Sequence, residues 1–424
     1  MSEGLIIGYD LTRYYCRVSY FKEGEEEPVD VLFSDEKNPY LIQNSICRRK
    51  GTNEWLVGRS AYETALLGQG SIVDKLLLLV ERKDYSTFDG ELLSAGEIFR
   101  HFLEETLKRV YQETGEKGIR YIIFTVQELD AIVLDTIIEA CKELGIERNS
   151  VRIISHTESF LFYALSRKQE FRNNLSVLFD FTGDGLNYYE LEIVRGMQPN
   201  AAVARRKFLE EGFSVDIMNS PMGHRMADSI LTSCTQRILD KKLVSICLLS
   251  GNGMDDCQTW GTNFLRTLCA RRRVFFVENV FAKGAVYAAV DALRQESAYP
   301  FRILCEGRIR VDISTEIFTG LSQQTVFLAR AGENWYDTKA EFDVIPDDMT
   351  KMLLKVKKLG DRTGVVAEVP LTDILKGRAN KTTRIGVQLR FTSENVFTVT
   401  LEDKGFGEFY PASGRKVYRT FPVE

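Results

Sequence analysis

Two aspartates, Asp10 and Asp180, each follow a short apolar run and precede a tight polar turn. The first run begins at Leu5 and the second at Leu175. A carboxylate in this position is expected at the carboxyl end of a buried strand, where ligands of open α/β sheets bind. If a nucleotide binds there, the two carboxylates can hold the water shell of Mg²⁺, an ion that keeps several waters and takes few protein ligands.

The turn after Asp180 is rich in small residues that can bring backbone amides close to an anion. It comprises Thr182, Gly183, Asp184 and Gly185. Because glycine adopts the positive φ values that curl N–H groups around an anion, this turn could cradle a phosphate. The alternative for either stretch alone is an ordinary β-hairpin with glycine in its loop. Two copies of the pattern favour two duplicated α/β halves that meet over one ligand.

A third candidate turn follows another apolar strand, which ends near residue 249. It contains Gly251, Asn252 and Gly253 and leads into a helix. A strand that runs into such a turn allows close approach of the backbone to a ligand. Alone it is a weak indication of a binding site.

Strands and helices alternate up to about residue 299. A strand at 120–126 is followed by a helix at 129–144, a strand at 151–155 and a helix at 156–165, an order typical of a parallel sheet with right-handed crossovers. Beyond Pro300, short segments alternate apolar and polar residues between turns, which is the pattern of an all-β sandwich. The predicted domains are residues 1–170, 171–299 and 300–424.

Composition limits the class of protein. With 424 residues, 44% hydrophobic and 27% charged, the chain is long enough for about two or three folded domains. The net charge of −5 argues against nucleic-acid binding, and the basic tract Arg271 to Arg273 is interpreted as a solvated helix end. No apolar run reaches the roughly 20 residues of a membrane span. The chain enters its first strand without a leader, so a cytoplasmic protein is expected.

Cysteine and histidine usage gives no support for a metal site. The eight cysteines have no paired C-x-x-C spacing and mostly lie in apolar segments, which indicates reduced core thiols rather than zinc ligands or disulfides. The three histidines, His101, His156 and His224, are widely separated. A zinc site or a Ser/His/Asp site is therefore not predicted.

Taken together, these segments resemble the actin, heat-shock chaperone and sugar-kinase nucleotide-binding superfamily, and within it the 70-kDa heat-shock (DnaK-type) chaperones. GLIIGYDLTRYYCRV resembles the first phosphate motif, VLFDFTGDGLNYYEL the second, ICLLSGNGMDD the adenosine motif and ENVFAKGAVYAA the second connecting helix. ILKGRANKTTRIGVQLRFTSENVFTVTLEDKGFGE resembles the core of the peptide-binding β-sandwich. The resemblance implies a duplicated actin-like (ribonuclease H-like) two-lobe ATPase fold followed by an all-β sandwich domain, with ATP or ADP and Mg²⁺ as cofactors.

The chain departs from that family where phosphate would bind. Thr12, Arg13 and Tyr14 stand in place of a small Gly-Thr-Thr turn. Arg13 either contacts the phosphates as a charge-assisted donor or closes the pocket. Thr182 and Asp184 replace glycines of the second motif, and Asp184 would repel a phosphate unless a metal intervened.

The resemblance also implies further catalytic positions. His156 stands where the family supplies a catalytic-site glutamate, unless the alignment shifts by two and Glu158 takes that place. Lys75 lies near the family's phosphate-contacting lysine, although a lysine on a helix surface is the simpler interpretation. The interval from Val194 to Leu243 is too short for the outer subdomain of the second lobe, so most of that subdomain is expected to be missing.

Two functions are compatible with this sequence. The first is a chaperone-like ATP-binding protein in which lobe closure is coupled to capture of a peptide or protein client by the β-sandwich. Its hydrolysis would be weak or lost, because the residues that stabilise phosphoryl charge and orient water are altered. The alternative is a pseudo-ATPase scaffold that binds proteins without nucleotide. A small-molecule kinase is disfavoured, since kinases need no β-sandwich.

Overall fold

The protein divides into two compact units, which comprise Met1–Ile193 with Val203–Pro300 and Val194–Ala202 with Phe301–Glu424. The fold is mixed α/β with several sheets, and its carboxyl-terminal region is all-β. No helix in the described part of the chain has both the length and the apolar character needed to cross a bilayer. The computed structural model describes residues 4–22, 25–33, 36, 38–211, 213–320, 322–361 and 363–423.

In the amino-terminal half of the first unit, several strands come before the first helix, and strands and helices alternate from about residue 91 onwards. The strands are β1 (Leu5–Leu11), β2 (Tyr15–Phe21), β3 (Val29–Asp30), β4 (Ile42–Gln43), β5 (Ile46–Arg49), β6 (Trp55–Val57), β7 (Gly70–Val73), β8 (Tyr85–Phe88), β9 (Glu91–Ser94), β10 (Ile119–Val126) and β11 (Val151–Ser155). The helices are α1 (Arg59–Leu66), α2 (Leu76–Glu81), α3 (Ala95–Thr114), α4 (Ala131–Glu143) and α5 (His156–Ser166). The main sheet has the order β11-β10-β1-β2-β3, with β4 beside β2. Within it, β1 is parallel to β10 and antiparallel to β2.

Helix α3 is amphipathic, and its ends follow from its capping residues. The Ser94 hydroxyl accepts the Glu97 N–H while the Glu97 carboxylate accepts the Ser94 N–H, which forms a capping box. At the other end Gly115 adopts a left-handed conformation with φ of 72°, which ends the helix without steric cost. Ile98 and Phe102 are fully buried on the inner face.

The second half of the first unit repeats the same strand order. Its strands are β12 (Leu175–Thr182), β13 (Gly185–Val194), β14 (Ala201–Phe208), β15 (Val244–Ser250) and β16 (Arg273–Phe276), and its helices are α6 (Pro221–Leu239), α7 (Cys257–Trp260), α8 (Thr262–Cys269) and α9 (Val280–Ala292). The sheet runs β16-β15-β12-β13-β14. Since β12 is antiparallel to β13 and parallel to β15, it takes the place that β1 has in the first sheet.

Helix α9 approaches β1 and α5 so closely that only glycine fits at two contact points. A β-carbon added to Gly8 of β1 would lie 2.1 Å from the carbonyl oxygen of Ala282. A β-carbon added to Gly284 of α9 would lie 2.0 Å from the carbonyl oxygen of Ser159 on α5. These distances are far below van der Waals contact, so the two glycines set the spacing of strand and helices.

The second unit contains two four-stranded antiparallel sheets. Its strands are β17 (Arg302–Leu304), β18 (Val311–Thr319), β19 (Ser322–Ala329), β20 (Lys339–Val344), β21 (Lys351–Lys358), β22 (Val365–Pro370), β23 (Ile385–Ser393), β24 (Val396–Asp403) and β25 (Lys416–Pro422), with one helical turn, α10 (Thr372–Leu375). The sheets have the orders β19-β18-β21-β22 and β20-β23-β24-β25. Both contribute to one core, in which Leu354 and Leu389 are fully buried. The predicted all-β carboxyl-terminal region is confirmed.

All eight cysteines are present as thiols. Seven are buried, and burial raises the pKa of the Cys141 and Cys247 thiols to about 12. Cys269, at the end of α8, is the exposed one. Seven of the eight thiols therefore lie in the interior, as the sequence predicted.

Candidate functional site

Asp10 and Asp180 lie at equivalent places in the two sheets of the first unit. Asp10 of β1 is opposite Arg17 of β2, and Asp180 of β12 is opposite Asn187 of β13. Both side chains are buried, with 0% and 4% of their surface exposed. Each aspartate lies near the carboxyl end of its strand, where the sequence placed it.

Asp10 is held by side chains of the protein itself. His156 Nε2, at the start of α5, lies 2.7 Å from Asp10 Oδ1 and donates a hydrogen bond to the carboxylate. The imidazole stacks on the ring of Phe281 in α9, with centroids 4.0 Å apart. Arg17 Nη1 lies 3.8 Å from the other carboxylate oxygen. The Asp10 carboxylate thus has an internal hydrogen-bond donor and an internal counter-ion.

Asp180 belongs to the same group of charges. Burial raises the pKa of Asp180 to about 6, while Arg17 and His156 lower it and Asp10 raises it further. Burial also raises the pKa of Asp184, and the charge of His156 opposes that effect. Because these groups influence one another, Asp10, Arg17, His156, Asp180 and Asp184 are treated below as one central cluster.

Replacing Asp180 with asparagine is expected to stabilise the protein at neutral pH. The unfolded carboxyl ionises near 3.8 and the folded one near 6, so the wild type loses stability as the pH rises through this window. The asparagine variant does not titrate there. We expect a gain of about 2 kcal/mol at pH 7 that disappears near pH 4, allowing for the lost attraction of Arg17.

Urea unfolding as a function of pH measures this difference. Asp10→Asn is the matched control, because it removes a hydrogen-bonded carboxylate and is expected to destabilise. A stability difference for Asp180→Asn that does not change between pH 4 and pH 7 would contradict the assigned role of burial.

The turns that follow β1 and β12 line one open cleft of about 530 Å³. Thr12 closes the first turn, since its hydroxyl accepts a backbone N–H at 3.1 Å. Arg13 Nη2 lies 3.9 Å from a carboxylate oxygen of Glu81. A β-carbon placed on Gly183 would lie 3.6 Å from the Tyr14 ring. Tyr14 therefore packs over the glycine of the second turn.

The lining of this cleft carries more acidic than basic side chains. Glu128 pairs with Arg206, a residue outside the lining, at 3.4 Å. Arg13 pairs with Glu81 within the lining. Two carboxylates remain, so the lining is net negative and disfavours a triphosphate. The charged lining residues are Arg13, Glu81, Glu128, Asp130 and Asp184.

In the turn at Gly251, Asn252 and Gly253, the two glycines pack against Phe181, whereas Asn252 is exposed. A β-carbon on Gly251 would lie 2.2 Å from the carbonyl oxygen of Phe181, and one on Gly253 would lie 2.2 Å from the Phe181 ring. None of the three turn residues lines the cleft. The small size of the two glycines is thus explained by Phe181, which follows Asp180 in β12.

Neither Glu158 nor Lys75 lines the cleft. Glu158 is 1% exposed and accepts a hydrogen bond from Arg152 Nη2 at 3.0 Å. Lys75 is exposed next to the start of α2 and does not line the cleft. Of the two alternatives that the sequence left open, His156 is the residue that contacts Asp10.

The central cluster does not fit a water-shelled Mg²⁺. Such an ion needs carboxylates that face water-sized space, whereas the Asp10 side chain has no exposed surface and Asp180 is 4% exposed. The two Asp10 carboxylate oxygens already have protein neighbours, His156 Nε2 at 2.7 Å and Arg17 Nη1 at 3.8 Å. Across the described ranges, no group of three or more histidine, cysteine or acidic residues is arranged to hold a metal.

Sequence reasoning missed three residues that shape the site. Arg17 was detectable, because the two-strand pattern around the Thr12–Tyr14 turn pairs position 17 with position 10. Phe181 and Phe281 could not be found from the sequence. An aromatic residue beside a motif does not indicate which turn or ring its side chain will contact.

Comparison with known protein families places most of the chain in one group. Residues 27–306 match the model described as "Family of unknown function (DUF5716) C-terminal". Residues 308–423 match a second model, described as "Domain of unknown function (DUF8552)". No curated protein matches the chain.

Proposed function

The chain belongs to the DUF5716 family of unknown function, and for it we propose a pseudo-ATPase scaffold. In this proposal a duplicated actin-like (ribonuclease H-like) core keeps its cleft, but an internal network of charges replaces bound nucleotide and Mg²⁺. The protein then acts by binding other proteins and does not hydrolyse ATP.

The repeated strand order supports the duplicated core. The sheets around β1 and β12 have the same neighbours in the same directions, and Asp10 and Asp180 occupy matching positions. Helices α5 and α9 meet at Gly284 without room for a side chain. Such a contact is consistent with α9 being the second connecting helix that the sequence resemblance implies.

The observation that carries the proposal is the contact between Asp10 and His156. A carboxylate that serves a hydrated ion must remain available to water, but this one is fully buried and bonded at 2.7 Å. Phosphoryl transfer also requires positive charge aimed at the phosphate and an oriented water. Here Arg17 places its charge beside Asp10, and His156 hydrogen-bonds to the same carboxylate.

The charge of the cleft and the packing of Phe181 also support a scaffold without bound nucleotide. The net negative lining of the cleft opposes a triphosphate, and Phe181 fills the space beneath the turn that resembles the adenosine motif. The sequence resemblance to a peptide-binding β-sandwich favours protein partners over small molecules.

Thermal unfolding with and without ATP·Mg²⁺ tests the proposal. A ligand that binds the native state raises the melting temperature, and the stabilisation grows with the logarithm of the ligand concentration above Kd. We expect no rise at millimolar ATP·Mg²⁺ and no phosphate release. A rise that depends on Mg²⁺ and is lost in Asp10→Asn would overturn the proposal.

That outcome would favour a second candidate, a chaperone-like ATP-binding protein with a client on the β-sandwich. The open cleft of about 530 Å³ is the observation that favours it, because Arg13 and Gly183 both line it. The Arg13 side chain is 55% exposed and could reorient towards a phosphate. In this candidate, Arg13→Ala should remove the thermal shift, whereas in the scaffold there is no shift to remove.

A further inference from the structure

Strand β16 forms an open edge of the second sheet. Among the described residues it is the last strand in the order β16-β15-β12-β13-β14. Arg273, Phe275 and Phe276 are exposed, and the two rings keep 40% and 42% of their surface accessible. The corresponding strand of the first sheet, β11, is buried at four of its five positions. The two outer strands therefore differ in how they meet the solvent.

Backbone donors point outward from this edge. The N–H of Val277, just after β16, donates to the carbonyl of Leu249 in β15 at 2.9 Å. Because alternate residues of a strand direct their N–H groups to the same side, the N–H of Phe276 points away from β15. An extended segment laid along β16 would find this donor available.

Exposed aromatic side chains add an apolar surface to this open edge. Phe275 stacks on Phe171, with centroids 6.2 Å apart, so one ring is held in a fixed orientation. An exposed edge strand with large apolar side chains is a template for strand pairing that native proteins usually cover. The edge of β16 therefore has the features of a strand that pairs with another chain.

Basic residues gather at the amino end of the edge. The tract at 271–273, interpreted from sequence as a helix end, instead lies in the turn after α8 and opens β16. Arg271 is exposed, and so is Lys241 just before β15. Since β15 and β16 are parallel, with Ile246 opposite Arg273, their amino ends lie together. Like charges disfavour pairing of this edge with the same edge of a second copy, whereas acidic side chains are attracted.

We propose that the edge of β16 binds an extended acidic segment of a partner protein by adding it to the sheet as a further strand. Main-chain hydrogen bonds along β16 supply affinity, and the exposed Arg271 and Lys241 at its amino end favour glutamate or aspartate. The proposal does not depend on the cleft, because β16 lies at the outer edge of the sheet and has no residue in the cleft lining.

A phage-displayed library of random peptides, about eight residues long, tests the proposal with the full chain as bait. We expect enrichment of peptides with acidic residues beside β-branched or aromatic ones. Two matched variants identify the site. Phe276→Ala and Phe276→Pro both remove the ring, but only the proline removes the outward N–H. We expect the enriched peptides to bind Phe276→Pro roughly five- to tenfold more weakly than Phe276→Ala.

Charge reversal provides a second, independent measurement. Arg271 is exposed, so Arg271→Glu is expected to fold normally and to weaken the enrichment of acidic peptides. Absence of enrichment, equal binding to the alanine and proline variants, or unchanged selection with Arg271→Glu would each overturn the proposal. Adding ATP·Mg²⁺ is expected to leave the melting temperature of each variant unchanged. The peptide measurements therefore test the β16 proposal separately from the scaffold proposal.

Discussion

Replacing His156 with alanine is expected to lower the free energy of unfolding by about 3–5 kcal/mol, the usual cost of removing one partner from a buried charged pair. The change leaves the Asp10 carboxylate without its 2.7 Å donor, and Arg17 at 3.8 Å is too distant to replace it. It also removes the ring that stacks on Phe281. Urea unfolding at pH 7 measures the loss.

A double-mutant cycle separates the energy of the Asp10–His156 contact from the energy of packing the His156 ring. In an Asp10→Asn background the same His156→Ala change should cost much less, because no buried charge is stranded. His156→Gln should be milder than alanine, since its amide can still donate a hydrogen bond. If the two single changes add within about 0.5 kcal/mol, the contact contributes little and the main support for the scaffold is lost.

Replacing Gly284 with alanine is expected to destabilise the first unit by about 3 kcal/mol or more, at the upper end of overpacking costs. The new β-carbon would lie 2.0 Å from the carbonyl oxygen of Ser159. A backbone oxygen within a helix cannot move aside as a flexible side chain can, so α9 must shift away from α5.

Gly96 of α3 provides the matched control. It is also a glycine within a helix, but a β-carbon there would meet nothing within 4 Å. Alanine at that position should stabilise by about 0.5–1 kcal/mol, because it lowers the entropy cost of helix formation. Similar effects of Gly284→Ala and Gly96→Ala on thermal unfolding would mean that the close contact does not hold the helices in place.

Local patterns in the sequence predicted much of the fold. The hairpin after Leu5 appears as β1 and β2, and the one after Leu175 as β12 and β13, because an apolar run, a polar turn and a second apolar run leave few other arrangements. Alternation of apolar and polar residues likewise indicated the carboxyl-terminal strands. The division of residues 1–299 into two lobes stays a prediction, supported by the repeated strand order.

The site was less accessible to sequence reasoning. Asp10 and His156 are separated by 146 residues, and no local pattern indicates that their side chains meet. Burial of Asp180 depends on residues from several elements. Sequence spacing located the carboxylates, but whether they face water or an internal partner is decided by packing that only the folded chain reveals.

The position of Cys269 makes the outer edge of the second sheet open to site-directed spectroscopy. It is the exposed thiol at the end of α8, four residues before β16, while burial suppresses ionisation of most of the others. Since the thiolate is the reactive form, a maleimide dye should attach at one place without any engineering. Its fluorescence would then report binding of a peptide to the edge of β16 without any substitution in the chain.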